Sequence, residues 1–212
     1  MKPFITPEIS ASGQKVLRFQ CKNIEAKNIS SDMQNLSIVA YSMPIDHSFQ
    51  AAWIFRLILS NGTSLEFSSA CTAVMDWQEV GSLNIQLVNQ AANKKSVTDA
   101  VLLRIEVTPF RIISLKKLTY EDKNFRTECG IAIYGQNEEE ILITTGISPG
   151  SVSIAAPFST DPFEPEFPVA QCYLELLDVS GINQDQDQDQ SGSDSNSFKT
   201  HYITIKNIAT RQ

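Results

Sequence analysis

Residues 55 to 67 read FRLILSNGTSLEF, and this stretch decides the fold class. Phe55, Leu57 and Leu59 alternate with Arg56 and Ser60, the period-two signature of an extended chain with one buried face. Asn61-Gly62 then supplies turn chemistry, since both residues tolerate the positive φ of a type I′ turn, and Leu65 and Phe67 resume the alternation. Residues 52 to 70 are therefore predicted to form a β-hairpin.

The same grammar extends outward in both directions. Strands are expected near 16–21, 36–42, 52–60, 63–70, 81–88, 101–107, 110–118, 129–135, 140–145, 150–155, 169–178 and 200–208. Helix is scarce: the one plausible helical turn, Gln90 to Ala100, lacks a sustained apolar stripe. Many short strands with frequent turns predict an all-β protein, an antiparallel β-sandwich or open barrel. A gapless shift of 76 residues places Phe55, Leu57, Leu65 and Phe67 on Ile131, Ile133, Ile141 and Ile143, and Gly81 to Ile85 resembles Gly150 to Ile154. The expectation is two similar β units, 1–110 and 111–212, from an internal duplication, with a single β domain 1–212 as the alternative.

Composition bounds the function. The 212 residues carry 17 Lys+Arg against 24 Asp+Glu, a net charge of −7. Basic residues cluster no further than Lys94-Lys95 and Lys116-Lys117, so neither a nucleic acid nor an anionic membrane is an expected partner. The longest apolar run, Ala51 to Phe55, is far short of a membrane span, and the opening residues contain no secretory h-region. A cytoplasmic location is expected. Four of the seven net negative charges belong to NQDQDQDQSGSDSNS at 183–197, which has no apolar residue to bury and reads as a disordered acidic insertion at a hairpin tip, leaving −3 on the body. Asp185, Asp187 and Asp189 within it open like a calcium loop, but Gln190 and Asn196 stand where glycine and glutamate are required.

Catalytic patterns are sparse. Cys21, Cys71, Cys129 and Cys172 lie 50, 58 and 43 residues apart, without a CxxC pair, and each is in phase with an apolar strand face. They read as buried free thiols. The only histidines are His47, in the turn-like PIDHS at 44–48, and His201, at the start of a strand. Glu138-Glu139-Glu140 reads as a solvated turn. No metal or cofactor site is expected.

The remaining distinctive segment is PFSTDPFEPEFP at 157–168. Phe158, Phe163 and Phe167 alternate with Asp161, Glu164 and Glu166 on a backbone stiffened by Pro162, Pro165 and Pro168. Two readings follow. The aromatics either tuck over an open end of the β core, or are presented, with the acids, to a protein partner. Trp77, in the loop 75–80, is open to the same two readings. The functional expectation is a non-enzymatic protein-binding module, in its concrete version an inhibitor or immunity-type partner of a basic protein, with Trp77, Phe158, Asp161, Phe163, Glu164, Glu166 and Phe167 as partner-binding residues. The alternatives are a small hydrolase using His47 or His201, and a structural subunit of a larger assembly. The last predicts long unpaired strand edges.

Overall fold

The computed structural model describes residues 2–89 and 101–177. In chain order its elements are β1 (Glu8–Ile9), β2 (Lys15–Leu17), β3 (Gln20–Lys22), α1 (Ile29–Met33), β4 (Ser37–Pro44), β5 (Phe55–Leu59), β6 (Thr63–Met75), β7 (Gln78–Asn89), β8 (Leu102–Arg111), β9 (Ser114–Glu121), β10 (Phe125–Tyr134), β11 (Glu140–Thr145), β12 (Val152–Ala155) and β13 (Tyr173–Leu176). Six strands form one sheet in the order β3-β7-β6-β5-β4-β8. The second has seven. There β13, β9 and β10 lie side by side, and the other edge of β10 is shared between β2, which continues to β1, and β11, which continues to β12. Neither sheet closes on itself, so the all-β expectation resolves to a sandwich. Two pairings are parallel, β2 with β10 and β3 with β7, because the chain crosses from one sheet to the other at Arg18-Phe19.

The hairpin predicted from 55–67 is present as β5–β6, with Phe55 opposite Phe67 and Leu57 opposite Leu65. Its counterpart β10–β11 places Ile131 opposite Ile143 and Ile133 opposite Ile141, the same pairs under the 76-residue shift. The two hairpins belong to different sheets. Together with Leu83, Ile85, Val152 and Ile154, these eight side chains are wholly excluded from solvent and form one core shared by both sheets. At about 1.5–3 kcal/mol for each large apolar side chain buried, this face dominates the stabilisation. Matching registers are what two amphipathic hairpins closing one core produce, so the correspondence bears on packing and leaves ancestry aside.

Several local expectations change. Only Gly62 in the first hairpin turn has positive φ, 81°, so the turn is not type I′. Asn61 contributes through its side chain instead: Oδ1 accepts hydrogen bonds from the amide and the hydroxyl of Thr63, at 3.0 and 2.8 Å. The expected strand 16–21 is broken into β2 and β3, and the start of 169–178 is a turn of 3₁₀ helix before β13. The five-residue helix α1 carries no strong sequence signal, yet Ile29 and Met33, four apart on one face, both enter the core. The helical turn expected at 90–100, the acidic tract 183–197, the strand 200–208 and His201 lie outside the described residues.

The ladder between β9 and β10 slips at Cys129: Glu128 faces Thr119, Gly130 faces Leu118, and Cys129 is the extra residue of a β-bulge. Cys129 is buried, as expected, but in a second cluster with Leu118, Ala132, Leu142 and Val169 rather than beside Ile131 and Ile133. Alternation alone cannot register an inserted residue. Glu128 is held by the Phe19 amide and by Lys117 Nζ, each at 2.7 Å, and Lys117 also lies 3.2 Å from Glu175.

Candidate functional site

The proline-rich segment runs against the body of the protein, and most of its side chains are engaged there. Phe158 stacks on Tyr41 with ring centroids 5.2 Å apart, beside Phe49. Asp161 accepts a hydrogen bond from the Phe49 amide at 2.8 Å. Phe163 packs on the cluster of Leu118, Cys129, Ala132 and Leu142, and Phe167 stacks on Tyr120 at 4.3 Å. Glu164 donates its amide to Ser153 Oγ at 2.9 Å. The Glu166 carboxylate receives the Gly81 amide, 3.1 Å from either oxygen. Burial pushes the Glu166 carboxyl above its ordinary range, and the Gly81 amide opposes that shift. These six residues join the segment to both sheets, the geometry of a cover over the core.

Trp77 behaves differently. It lies at the tip of the β6–β7 hairpin and is 99% exposed, so the core-cover reading fails for it. Twelve rungs of pairing carry this hairpin, and Met75 beside the tip is also exposed.

A larger apolar surface occurs at the edge strand β8. β8 pairs with β4 on one side, with Pro44 opposite Leu102, Met43 opposite Leu103 and Tyr41 opposite Ile105, and no other described strand pairs with its outer edge. Tyr41 is a core residue, so Leu103 and Ile105 share the core-facing side of the sheet. The second sheet packs mainly over β6 and β7; at β8 it meets Phe110, whose ring lies against Gly135, while Leu103 and Ile105 nearer the start of the strand stay open. Phe49 and Phe158 cover Tyr41, whereas Leu103 remains 45% and Ile105 37% exposed. Alongside them Ile45 is 63%, Trp53 67% and Val101 74% exposed. Scattered exposed apolar residues need no explanation, but five large ones at one sheet edge do.

Ile45, Trp53 and Val101 line a cleft of about 290 Å³ together with Asp46, His47 and Ile54. His47 Nδ1 accepts the Trp53 amide at 3.2 Å, and the two rings meet edge to face at 5.4 Å. With Nδ1 an acceptor, the neutral imidazole carries its proton on Nε2. The contact sets the indole at the mouth of the cleft. Among the described residues, none of the lining side chains is a serine, threonine, cysteine or lysine.

The thiols lie elsewhere. Burial pushes Cys21 and Cys71 up to about 11. Cys129 and Cys172 approach to 3.9 Å, and the hydrogen bond between them raises Cys129 and lowers Cys172. Among the described residues no group of three or more His, Cys, Asp or Glu side chains is placed to hold a metal ion, and no helix is long and apolar enough to cross a membrane.

No family model, curated protein or solved structure matches this chain. Function must therefore be argued from the surface itself. Sequence reasoning overlooked Trp53, Val101, Leu103 and Ile105 because their alternation reads as a buried face. One signal was present: Pro109 lies within β8, and proline in a strand marks an edge.

Proposed function

We propose that this protein is a non-enzymatic binding module that docks an extended protein segment along the outer edge of β8. The observation that carries the reading is the conjunction of an unpaired edge, among the described residues, with Ile45, Trp53, Val101, Leu103 and Ile105 exposed beside it. A strand added to such an edge gains main-chain hydrogen bonds, while alternate apolar side chains fill the adjoining cleft. Trp53 is the anchor expected of such a surface, being large, aromatic and held in place by His47. The version in which acids of 157–168 select a basic partner draws less support, because Asp161 and Glu166 accept hydrogen bonds from Phe49 and Gly81.

A photo-crosslinking residue at position 103, introduced in the native host, tests this reading. The expected result is a discrete adduct with a protein chain, lost when Ile105→Lys is added and absent when the crosslinker is moved to exposed Lys123. Equal labelling from both positions, or none from 103, would overturn it.

A further inference from the structure

We infer that the segment docked on β8 is β8 of a second copy of this chain, paired antiparallel across a two-fold axis. The inference rests on the docking reading above and adds the identity of the occupant. Its basis is the sequence of the edge, Leu102-Leu103-Arg104-Ile105-Glu106-Val107, which is complementary to its own reverse.

A strand that meets its own copy across an axis normal to the sheet places residues of the same face opposite each other, so the axis passes through a residue. With the axis at Ile105, Ile105 faces its copy, Leu103 faces Val107 twice and Arg104 faces Glu106 twice. The core-side positions then join two apolar surfaces, covering side chains that the second sheet leaves open. On the opposite side, each guanidinium lies across from a carboxylate. Moving the axis to Arg104 sets two guanidiniums against each other and Leu102 against Glu106, while moving it to Leu103 sets Arg104 against Leu102. Only the Ile105 axis satisfies both faces of the strand.

The geometry of the single chain agrees. Arg104 and Glu106 already bond each other, 2.8 Å apart, and their side chains are 46% and 68% exposed. They therefore lie within reach of a strand added outside them, and re-pairing across the axis needs only side-chain rotation. Proline at 109 has no amide hydrogen and bounds the new ladder on one side. Within β8, pairing with β4 is regular from Leu102 to Glu106 and becomes irregular between Glu106 and Phe110. The two charged positions and Ile105 thus lie on the flat part of the edge, and Val107 stands where the irregular part begins. Pairing would give a sheet continuous across both copies, with the Trp53 clefts on its core side. Isologous contacts of this kind close at two subunits.

Sedimentation equilibrium on the purified full chain supplies the test. At low salt the wild-type mass is expected to rise with concentration from 23.5 kDa to twice that value. Arg104→Glu and Glu106→Arg each turn both cross-axis pairs into like-charge pairs, and each should weaken the dimer roughly tenfold or more. An equimolar mixture of the two variants restores opposite charges at both contacts and should recover the dimer, as should the double reversal within one chain. Both side chains are exposed, and circular dichroism of each variant checks that it is folded. A wild type that stays monomeric to about 100 µM, or a dimer indifferent to the single reversals, would overturn the inference. The position-103 crosslinker separates the two levels. A monomeric protein still joined there to a different protein refutes self-pairing and keeps the docking reading. An adduct with residues 200–208 of the same molecule refutes both.

Discussion

Gly81 is glycine because of what stands over it. A Cβ there would fall on the Glu166 carboxylate and 2.7 Å from Thr145 Cβ. Gly81→Ala should therefore displace Glu166 and cost about 1–3 kcal/mol in chemical denaturation, the usual range for overpacking. Glu166→Gln separates contact from charge, since the amide oxygen still accepts the Gly81 N–H. Burial raises the Glu166 carboxyl, so the folded protein binds its proton more tightly than the unfolded chain does. The sign follows: this group favours folding below its unfolded pKa, and that advantage is lost as pH rises through the folded value. Glu175 acts in the opposite direction. Burial alone would raise it, but Lys117 and Arg126 bring it below its ordinary value, so its contribution is present at neutral pH and disappears in acid. Comparing wild type with Glu166→Gln from pH 4 to pH 7 cancels Glu175, and the variant's relative stability should increase towards pH 7. A difference independent of pH would show that the carboxylate is not held in a buried site. None of this was legible in the sequence, where Glu166 is one acid in an acidic, proline-rich run and Gly81 begins an ordinary strand.

Elements whose side chains repeat at a fixed period were the legible ones. β5–β6 and β10–β11 follow from alternation because one face of each lies on the shared core throughout, although the other face of β10–β11 is covered as well, by the cluster of Leu118, Ala132 and Leu142. The failures share a physical cause, a break in that uniformity. The bulge at Cys129 inserts a residue, so parity inverts beyond it. The segment 157–168 has no period, and composition alone admits both readings of its phenylalanines, core cover and presentation to a partner. Its cover geometry gives a prediction at this scale. Phe167→Ala removes the half-buried ring stacked on Tyr120 at 4.3 Å, packed also against Phe125, and should destabilise the fold by about 1–3 kcal/mol, below the range for a fully buried phenylalanine. An exposed recognition residue would leave stability within about 0.5 kcal/mol. Thermal or urea unfolding distinguishes these outcomes.

At the scale of the whole molecule, the sequence specified two apolar sheet faces but not their relative extent. Leu103 and Ile105 carry the alternation of buried residues and lie on the core side, yet they stay 45% and 37% exposed while Phe110 farther along the same strand is covered. Overlap between sheets depends on strand order and crossover, and no local pattern encodes it. The uncovered margin gives the molecule a surface that combines backbone hydrogen-bonding groups with exposed apolar area, the combination that proteins ordinarily suppress at sheet edges. Four of the seven net negative charges lie in the tract 183–197, so the remaining body at −3 offers little general repulsion to a second copy. Added salt should weaken the Arg104–Glu106 contacts while leaving the apolar ones, so association should decline with ionic strength without vanishing.

Amide hydrogen exchange tests the central claim most directly, because it reads the edge itself. Compared between about 1 µM and 100 µM protein, the amides of Leu102 to Val107 should exchange more slowly at the higher concentration, while those of 157–168 keep their rates. Exchange along β8 that is the same at both concentrations and in the presence of host proteins, with protection changing at 157–168 instead, would contradict the account.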